Sequence, residues 1–178
     1  GGEAVLHGMT YDEANAHAVT LERAQGLCFV HPFNDPDVIA GQGTIGGELE
    51  RQWPRVPDAV FVPIGGGGLI SGIGAHLKHR YPGIKVVGVE PYESASMSES
   101  LRAGRIVTLD RVGTFADGVA VRRVGEETFR VASEVVDEII LVNTDEICAA
   151  IKDIFEDVRG VVEPAGALAV AGMKRYAE

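Results

Sequence analysis

The sequence predicts an α/β fold, a mostly parallel sheet with helices on both faces. Three observations carry this. An apolar, strand-like run, Val60-Phe61-Val62-Pro63-Ile64, meets a helical pattern across the turn Gly65-Gly66-Gly67-Gly68. Beyond that helix, Val86-Val87-Gly88-Val89 has no polar face, as expected of a strand covered on both sides. A strand, helix, strand unit of this kind imposes parallel strands with a right-handed crossover. The chain has 178 residues, 46% of them apolar and 24% charged, which is the balance of a globular protein and not of a disordered one.

Each element has a local reason. Ala4-Val5-Leu6-His7 has the apolar content of a short strand. Thr10 followed by Glu13 reads as a capping box for a helix running to about Gln25 and stopped by Gly26, with Ala14, Ala18 and Leu21 on its inner face. Leu27-Cys28-Phe29-Val30 reads as a second, buried strand. Asp35 with Pro36 at the first helical position starts a helix through Val38, Ile39, Ile45 and Leu49 to about Trp53. Gly41, Gly43, Gly46 and Gly47 inside it imply either close packing on another backbone or a loop before a shorter helix near Thr44.

After the glycine turn a helix opens at Leu69 and keeps Ile70, Ile73, Leu77 and Tyr81 in register, before Pro82-Gly83 ends it. Residues 93–103 read as a helix ended by Gly104, and residues 106–109 as a short extended run. Phe115-Ala116-Asp117-Gly118-Val119-Ala120 is a loop. An amphipathic helix follows it to about Val136, turning Val124, Thr128, Val131 and Val135 inward. Residues 138–142 form a strand. Thr144 and Asp145 cap a helix with the apolar stripe Ile147, Ile151, Ile154, Phe155 and Val158, and Glu163-Pro164 opens the last helix. Residues 1–30 are assigned to a neighbouring smaller lobe and residues 31–178 to a larger one.

The net charge of −10 excludes a nucleic-acid or anionic-membrane partner. Residues 59–75 carry no charge, but Pro63 and six glycines make them a poor membrane span. Cys28 and Cys148 stand far apart in apolar settings, which reads as reduced, buried thiols of a cytoplasmic protein. The chain lacks an initiator Met, so Gly1 is not expected to be the natural start.

Four consecutive glycines are costly to order unless backbone must take positive φ or lie against a ligand that no side chain would admit. The helix that follows adds free N–H donors and the positive end of its dipole, so the turn reads as an anion site for a phosphate. The dinucleotide fingerprint fails, because the sixth position is Ile70 or Ser71 where Gly is required, although Glu90 closes the next strand about where a ribose-binding acid would stand. No Gly-Lys-Ser or Gly-Lys-Thr follows, which removes the phosphate loop of nucleotide hydrolases. A cofactor with one terminal phosphate remains.

The weaker constellations read as structure. His76 and His79 lie one turn apart without a third ligand, Ser71 lacks the glycine-flanked elbow of serine hydrolases, and Glu90 and Glu163 read first as capping or solvated groups.

With its glycine turn the chain resembles the pyridoxal-phosphate enzymes of the tryptophan-synthase-like fold type. The resemblance covers the whole chain. His31-Pro32-Phe33-Asn34-Asp35, Ala40-Gly41-Gln42-Gly43-Thr44, residues 65–69 and 115–121, Phe155-Glu156-Asp157-Val158-Arg159 and Glu163-Pro164-Ala165-Gly166-Ala167 look like the biosynthetic threonine dehydratases. It implies pyridoxal 5'-phosphate as cofactor, its phosphate held by Gly65, Gly66, Gly67, Gly68 and Leu69. It also implies a cytoplasmic homo-oligomeric lyase of isoleucine biosynthesis that converts threonine, or serine, to a 2-oxo acid and ammonia. Two positions depart from relatives: Ala165 stands where Ser is common, and Ser96 where serine racemases have an Asp metal ligand beside Glu90. No metal site is therefore assigned. A serine dehydratase, a serine racemase-like enzyme and a non-catalytic binding module are the alternatives, with a dinucleotide enzyme behind them.

Such an enzyme carries its cofactor covalently on a Lys that later serves as a base. The chain has four, Lys78, Lys85, Lys152 and Lys174. Lys78 lies about 15 Å up its helix from the turn, Lys85 starts its strand at the wrong end, Lys152 sits on a polar face, and Lys174 is far from the start of its helix. The resemblance places the cofactor Lys before Gly1, so no catalytic residue is assigned and the chain alone is expected to be inactive. Valine at Gly66 or Gly67 is expected to abolish cofactor retention while sparing the fold.

Overall fold

The computed structural model describes residues 2–177. It divides into two compact units, Gly1–His31 and Pro32–Glu178.

The first unit is built on one helix, α1 (Tyr11–Gln25). Its capping box forms as expected: Thr10 Oγ1 accepts from the Glu13 N–H at 3.3 Å and the Glu13 carboxylate accepts from the Thr10 N–H at 3.1 Å. Gly26 takes φ 66° and ends the helix. The two expected strands do not form. A lone extended run is stable only with partners or a covering layer, and none is provided here, since Leu6 is 96% and Val30 67% exposed. Cys28 is exposed, as is Cys148 in the second unit, so the expectation of buried thiols fails for both.

The second unit is a three-stranded parallel sheet, β1 (Ala59–Pro63), β2 (Lys85–Pro91) and β3 (Glu138–Val142), in that spatial order. The register sets Val62 beside Gly88 and Gly88 beside Ile139. Among the described residues of this unit six helices surround or extend it: α2 (Pro36–Gln52), α3 (Gly68–Arg80), α4 (Ser96–Ala103), α5 (Glu126–Val135), α6 (Thr144–Val158) and α7 (Pro164–Ala177). Side-chain alternation along β2 feeds two cores. Val87 and Val89 pack with Ile147, Leu168 and Ala171 of α6 and α7. Val86 packs on the other face with Ile70, Ile73 and Leu77 of α3 and with Ala132 of α5. Helices therefore cover both faces, as the apolar strands required. Each fully buried Val or Ile here contributes about 1.5–3 kcal/mol.

Several local expectations shift. Residues 92–94 form a single 3-10 turn before α4, and residues 106–109 contribute only one antiparallel bridge, Thr108 to Arg123. Val124 is buried ahead of α5, and Asn143, not Thr144 or Asp145, caps α6 through a box with Glu146. Along α6, Phe155 and Val158 are exposed. No helix among the described residues is long and apolar enough to cross a membrane.

The glycines of α2 are explained by contact, and α2 is one continuous helix. A Cβ on Gly72 of α3 would lie 2.3 Å from the Ile39 carbonyl oxygen and 2.5 Å from the Gly43 nitrogen, so the two helices touch backbone to backbone. Glu50 ties their far ends, accepting from Arg80 at 2.9 Å, the Tyr81 hydroxyl at 2.9 Å and His76 at 3.2 Å.

Two outcomes follow from this packing. Gly72→Ala forces two backbones apart and is expected to lower the unfolding free energy of the chain by about 3 kcal/mol; a denaturant midpoint equal to that of the parent would contradict it. Glu90 is fully buried and accepts from the Met97 and Ser98 N–H groups at 2.8 Å each, which caps α4. Burial pushes its carboxyl up to about 8 against the pull of those two donors. The folded state thus holds a proton that the unfolded state releases near its ordinary value of 4.5. The contribution of Glu90 to stability is fully present below about 4.5 and is lost as pH rises towards about 8. In Glu90→Gln that slope should vanish in pH-dependent thermal unfolding, and an undiminished slope would show that another group carries it.

Candidate functional site

The site forms where β1 ends. Ile64 is fully buried and its N–H still donates to the Val89 carbonyl at 2.9 Å, so the turn leaves the sheet from a fixed point. Gly67 adopts φ 97°, ψ −3°, and α3 begins at Gly68, one residue earlier than the sequence implied. A left-handed residue followed by a right-handed one turns successive N–H groups to one side, a concavity that takes an anion. Here the groups are those of Gly67, Gly68 and Leu69. Gly67 has no side chain to cap the helix. Among the described residues, no N–H from Gly65 to Leu69 donates to any other residue, although Gly66, Gly67 and Gly68 are buried.

Two carbonyls of the turn, those of Gly66 and Gly67, are engaged. Gly66 O accepts from Thr128 Oγ1 at 2.7 Å and from the Gly125 N–H at 3.4 Å, and Gly67 O accepts from the Ser71 N–H at 3.0 Å. Ser71 Oγ, fully buried, donates to the Thr128 carbonyl at 3.1 Å, which makes it a satisfied core hydroxyl.

Side chains crowd each glycine from different parts of the chain. A Cβ on Gly66 would lie 2.3 Å from the Phe33 ring, one on Gly68 would lie 3.0 Å from Phe33 Cβ, and one on Gly65 would lie 3.1 Å from Val119 Cα. At Gly67 the obstacles are Met97 Cε at 2.7 Å and Thr128 Cβ at 2.9 Å, both interior atoms. The expectation that a side chain at Gly67 spares the fold is thus corrected, because its Cβ points into the core. Phe33 and Thr128 escaped the sequence reading as site residues. The available signals were an aromatic beside Asn34-Asp35 and a polar residue on an inward helix face.

The remaining residues singled out earlier fall elsewhere. Asn34 Oδ1 accepts from the Glu127 N–H at 2.8 Å and so caps α5 from a distance, since Gly125 offers no side chain. Glu163 Oε1 lies 3.3 Å, and Ala165 Cβ 3.0 Å, from where a Cβ of Gly118 would stand. Ser96 is buried and its hydroxyl has no partner, while no group of three His, Cys, Asp or Glu residues able to hold a metal occurs among the described residues. Lys78 pairs with Asp137 in the last turn of α3, and Lys85 bonds Tyr176 at the start of β2. Lys152 pairs with Glu156, and Lys174 with Asp153. A cavity of about 230 Å³ opens at the C-terminal ends of β2 and β3 beside Ser94, Ala116 and Asn143, and the glycine turn does not border it.

A buried cradle that excludes Cβ atoms and presents free N–H donors fits a phosphate monoester, with no cationic side chain required.

The comparisons agree with that chemistry. The family model described as pyridoxal-phosphate dependent enzyme matches residues 1–178. The threonine dehydratase, mitochondrial, of Saccharomyces cerevisiae is 57% identical over 178 residues, 99% of this chain and 31% of that protein. The structure of the processed form of threonine deaminase isoform 2 from Solanum lycopersicum superposes with a TM-score of 0.91 at 49% identity, covering 98% of this chain and 49% of that one. Maize serine racemase follows at a TM-score of 0.90 and 34% identity, over 97% of this chain and 52% of that one. The chain spans about a third of the length of the curated relatives it matches. On this match, which runs from end to end, the chain belongs to the family of pyridoxal-phosphate dependent enzymes.

Proposed function

We propose that this chain is the phosphate-holding part of a threonine dehydratase, an enzyme that converts threonine, and serine as a second substrate, to a 2-oxo acid and ammonia. The single observation behind the cofactor assignment is the turn at Gly65, Gly66, Gly67, Gly68 and Leu69, buried in part and crowded on every glycine, with N–H groups that donate to nothing else. Threonine is favoured over racemisation of serine because 57% identity joins the chain to a threonine dehydratase and 34% to a serine racemase.

Pyridoxal 5'-phosphate, when bound, supplies an electron sink for the pair left behind as the α-proton departs. The residues of this chain do the positioning. The N–H groups of Gly67, Gly68 and Leu69, reinforced by the α3 dipole, would bind the phosphate end and fix its distance from the sheet. Phe33, packed on Gly66 and Gly68, closes the turn on one side and keeps water from the donors. Met97 and Thr128 close it from behind. No residue of the turn can carry a proton, so its contribution is orientation alone. We read Gly1–His31 as part of a second, smaller lobe, supported by its helix without a buried residue and its exposed Leu6, Met9 and Val30. A further copy or lobe would cover them, as exposed apolar clusters of this kind are usually covered.

Three experiments test this reading. With this chain alone, borohydride reduction in the presence of pyridoxal phosphate should label none of the four Lys stoichiometrically, because each is already paired away from the turn. One fully labelled Lys in a peptide map would overturn the assignment. In the full-length protein that carries this chain, threonine should be converted to 2-oxobutanoate. Gly67→Ala should lower cofactor affinity more than about tenfold and cost about 1–3 kcal/mol of stability, since a left-handed φ and the Met97 contact oppose the methyl group. Equilibrium dialysis and calorimetry read the two effects separately, and full cofactor content in Gly67→Ala would refute the phosphate role.

A further inference from the structure

The orientation of the free donors in the turn is set by residues outside it. A trans peptide holds its C=O and N–H in opposite directions within one plane, and the chain has no cis peptide among the described residues. Thr128 Oγ1 donates to Gly66 O at 2.7 Å. Pinning that oxygen against α5 turns the N–H of the same peptide unit, that of Gly67, away from α5. The Ser71 N–H pins Gly67 O at 3.0 Å in the same manner and turns the Gly68 N–H off the start of α3. Ser71 Oγ then donates to the Thr128 carbonyl at 3.1 Å, so the two clamps are joined.

The Thr128 hydroxyl has a local alternative. Threonine in a helix commonly donates to the carbonyl three or four residues earlier, and Gly125 O stands 3.2 Å away. The hydroxyl has one proton, and the Gly66 contact is the shorter by 0.5 Å, from 3.2 to 2.7 Å. Thr128 is fully buried, so water does not compete for either. Its side chain therefore serves a turn 62 residues away in preference to its own helix.

Resting on the reading of residues 65–69 as a phosphate site, we propose that Thr128 is a positioning residue, whose hydroxyl orients the peptide between Gly66 and Gly67 and so sets the donor geometry that receives the phosphate. Ser71 braces the next peptide, between Gly67 and Gly68, through its N–H, and its hydroxyl holds the Thr128 carbonyl.

The test uses the full-length protein with its cofactor removed. Affinities for pyridoxal 5'-phosphate and for pyridoxal, which lacks the phosphate, are measured for the parent, Thr128→Val, Thr128→Ser and Ser71→Ala. Thr128→Val keeps shape and loses the hydroxyl, so it should weaken the phosphate ester by about tenfold, the effect of one lost orienting hydrogen bond, and leave pyridoxal unchanged. Thr128→Ser should restore affinity to near the parent, and the phosphorus resonance of the bound ester should shift in Thr128→Val and return in Thr128→Ser. Ser71→Ala should show a smaller loss confined to the phosphate ester, and it serves alone if Thr128→Val fails to fold. Equal losses for both compounds, or none, would overturn the proposal. A parent that binds the two compounds equally well would instead remove the phosphate site itself, a result that involves no variant.

Discussion

The second unit depends on a set of N–H groups that the fold itself leaves without acceptors. Between β1 and α3 the backbone must reverse into a helix, and the first N–H groups of any helix lack an internal partner. Elsewhere in this chain a side chain supplies one: Thr10 for α1, Asp35 for α2, Asn143 for α6 and, from a distance, Asn34 for α5. At α3 the cap position is a glycine in left-handed conformation, and no side chain among the described residues caps the helix. A buried unsatisfied donor costs about 1–3 kcal/mol, a cost that the binding of an anion there, as proposed, would offset.

That arrangement is possible because the surroundings are rigid. Gly65 abuts Val119, Gly66 and Gly68 abut Phe33, and Gly67 abuts Met97 and Thr128, so the turn is held by four segments remote in sequence. Met97 is itself placed by Glu90, which takes the Met97 N–H and sits fully buried at the end of β2. The C-terminal ends of β1 and β2 thus support the turn through different routes. This is the edge at which open parallel sheets gather their ligands.

Much of this was legible in the sequence, and the reasons differ by element. The parallel sheet could be read because Val86, Val87 and Val89 leave no polar face. The starts of α1, α2 and α7 could be read because Thr10 with Glu13, Asp35 with Pro36, and Glu163 with Pro164 are short-range signals whose partners lie within four residues. The four-glycine run marked the turn between β1 and α3, where Gly67 takes φ 97°. What stayed hidden depends on contacts between distant segments. Whether the glycines of α2 meant a broken helix or a close one was decided by Gly72, some thirty residues on. The strands expected at residues 4–7 and 27–30 had the right composition, yet an apolar run becomes a strand only where a ladder receives it. Composition cannot report the partner. Phe33 and Thr128 reach the turn across 30 residues and more, so only the folded chain brings them there.

The charge of the chain sharpens the argument about how an anion would be held. At −10 overall, the protein repels phosphate at long range, and the Lys and Arg side chains near the sheet are engaged with Glu50, Asp137, Glu127 and Glu146. An anion bound here would owe nothing to the general field. Its energy would come from three oriented N–H groups and a helix end, in a site partly closed to water where each dipole acts at higher strength than in solvent. Oriented backbone has an advantage over a lysine in that role, because it cannot reorient, titrate or form a competing ion pair. It also explains why glycine is required at four successive positions: any side chain there would spoil the aim of the donors or strike Phe33, Met97 or Val119.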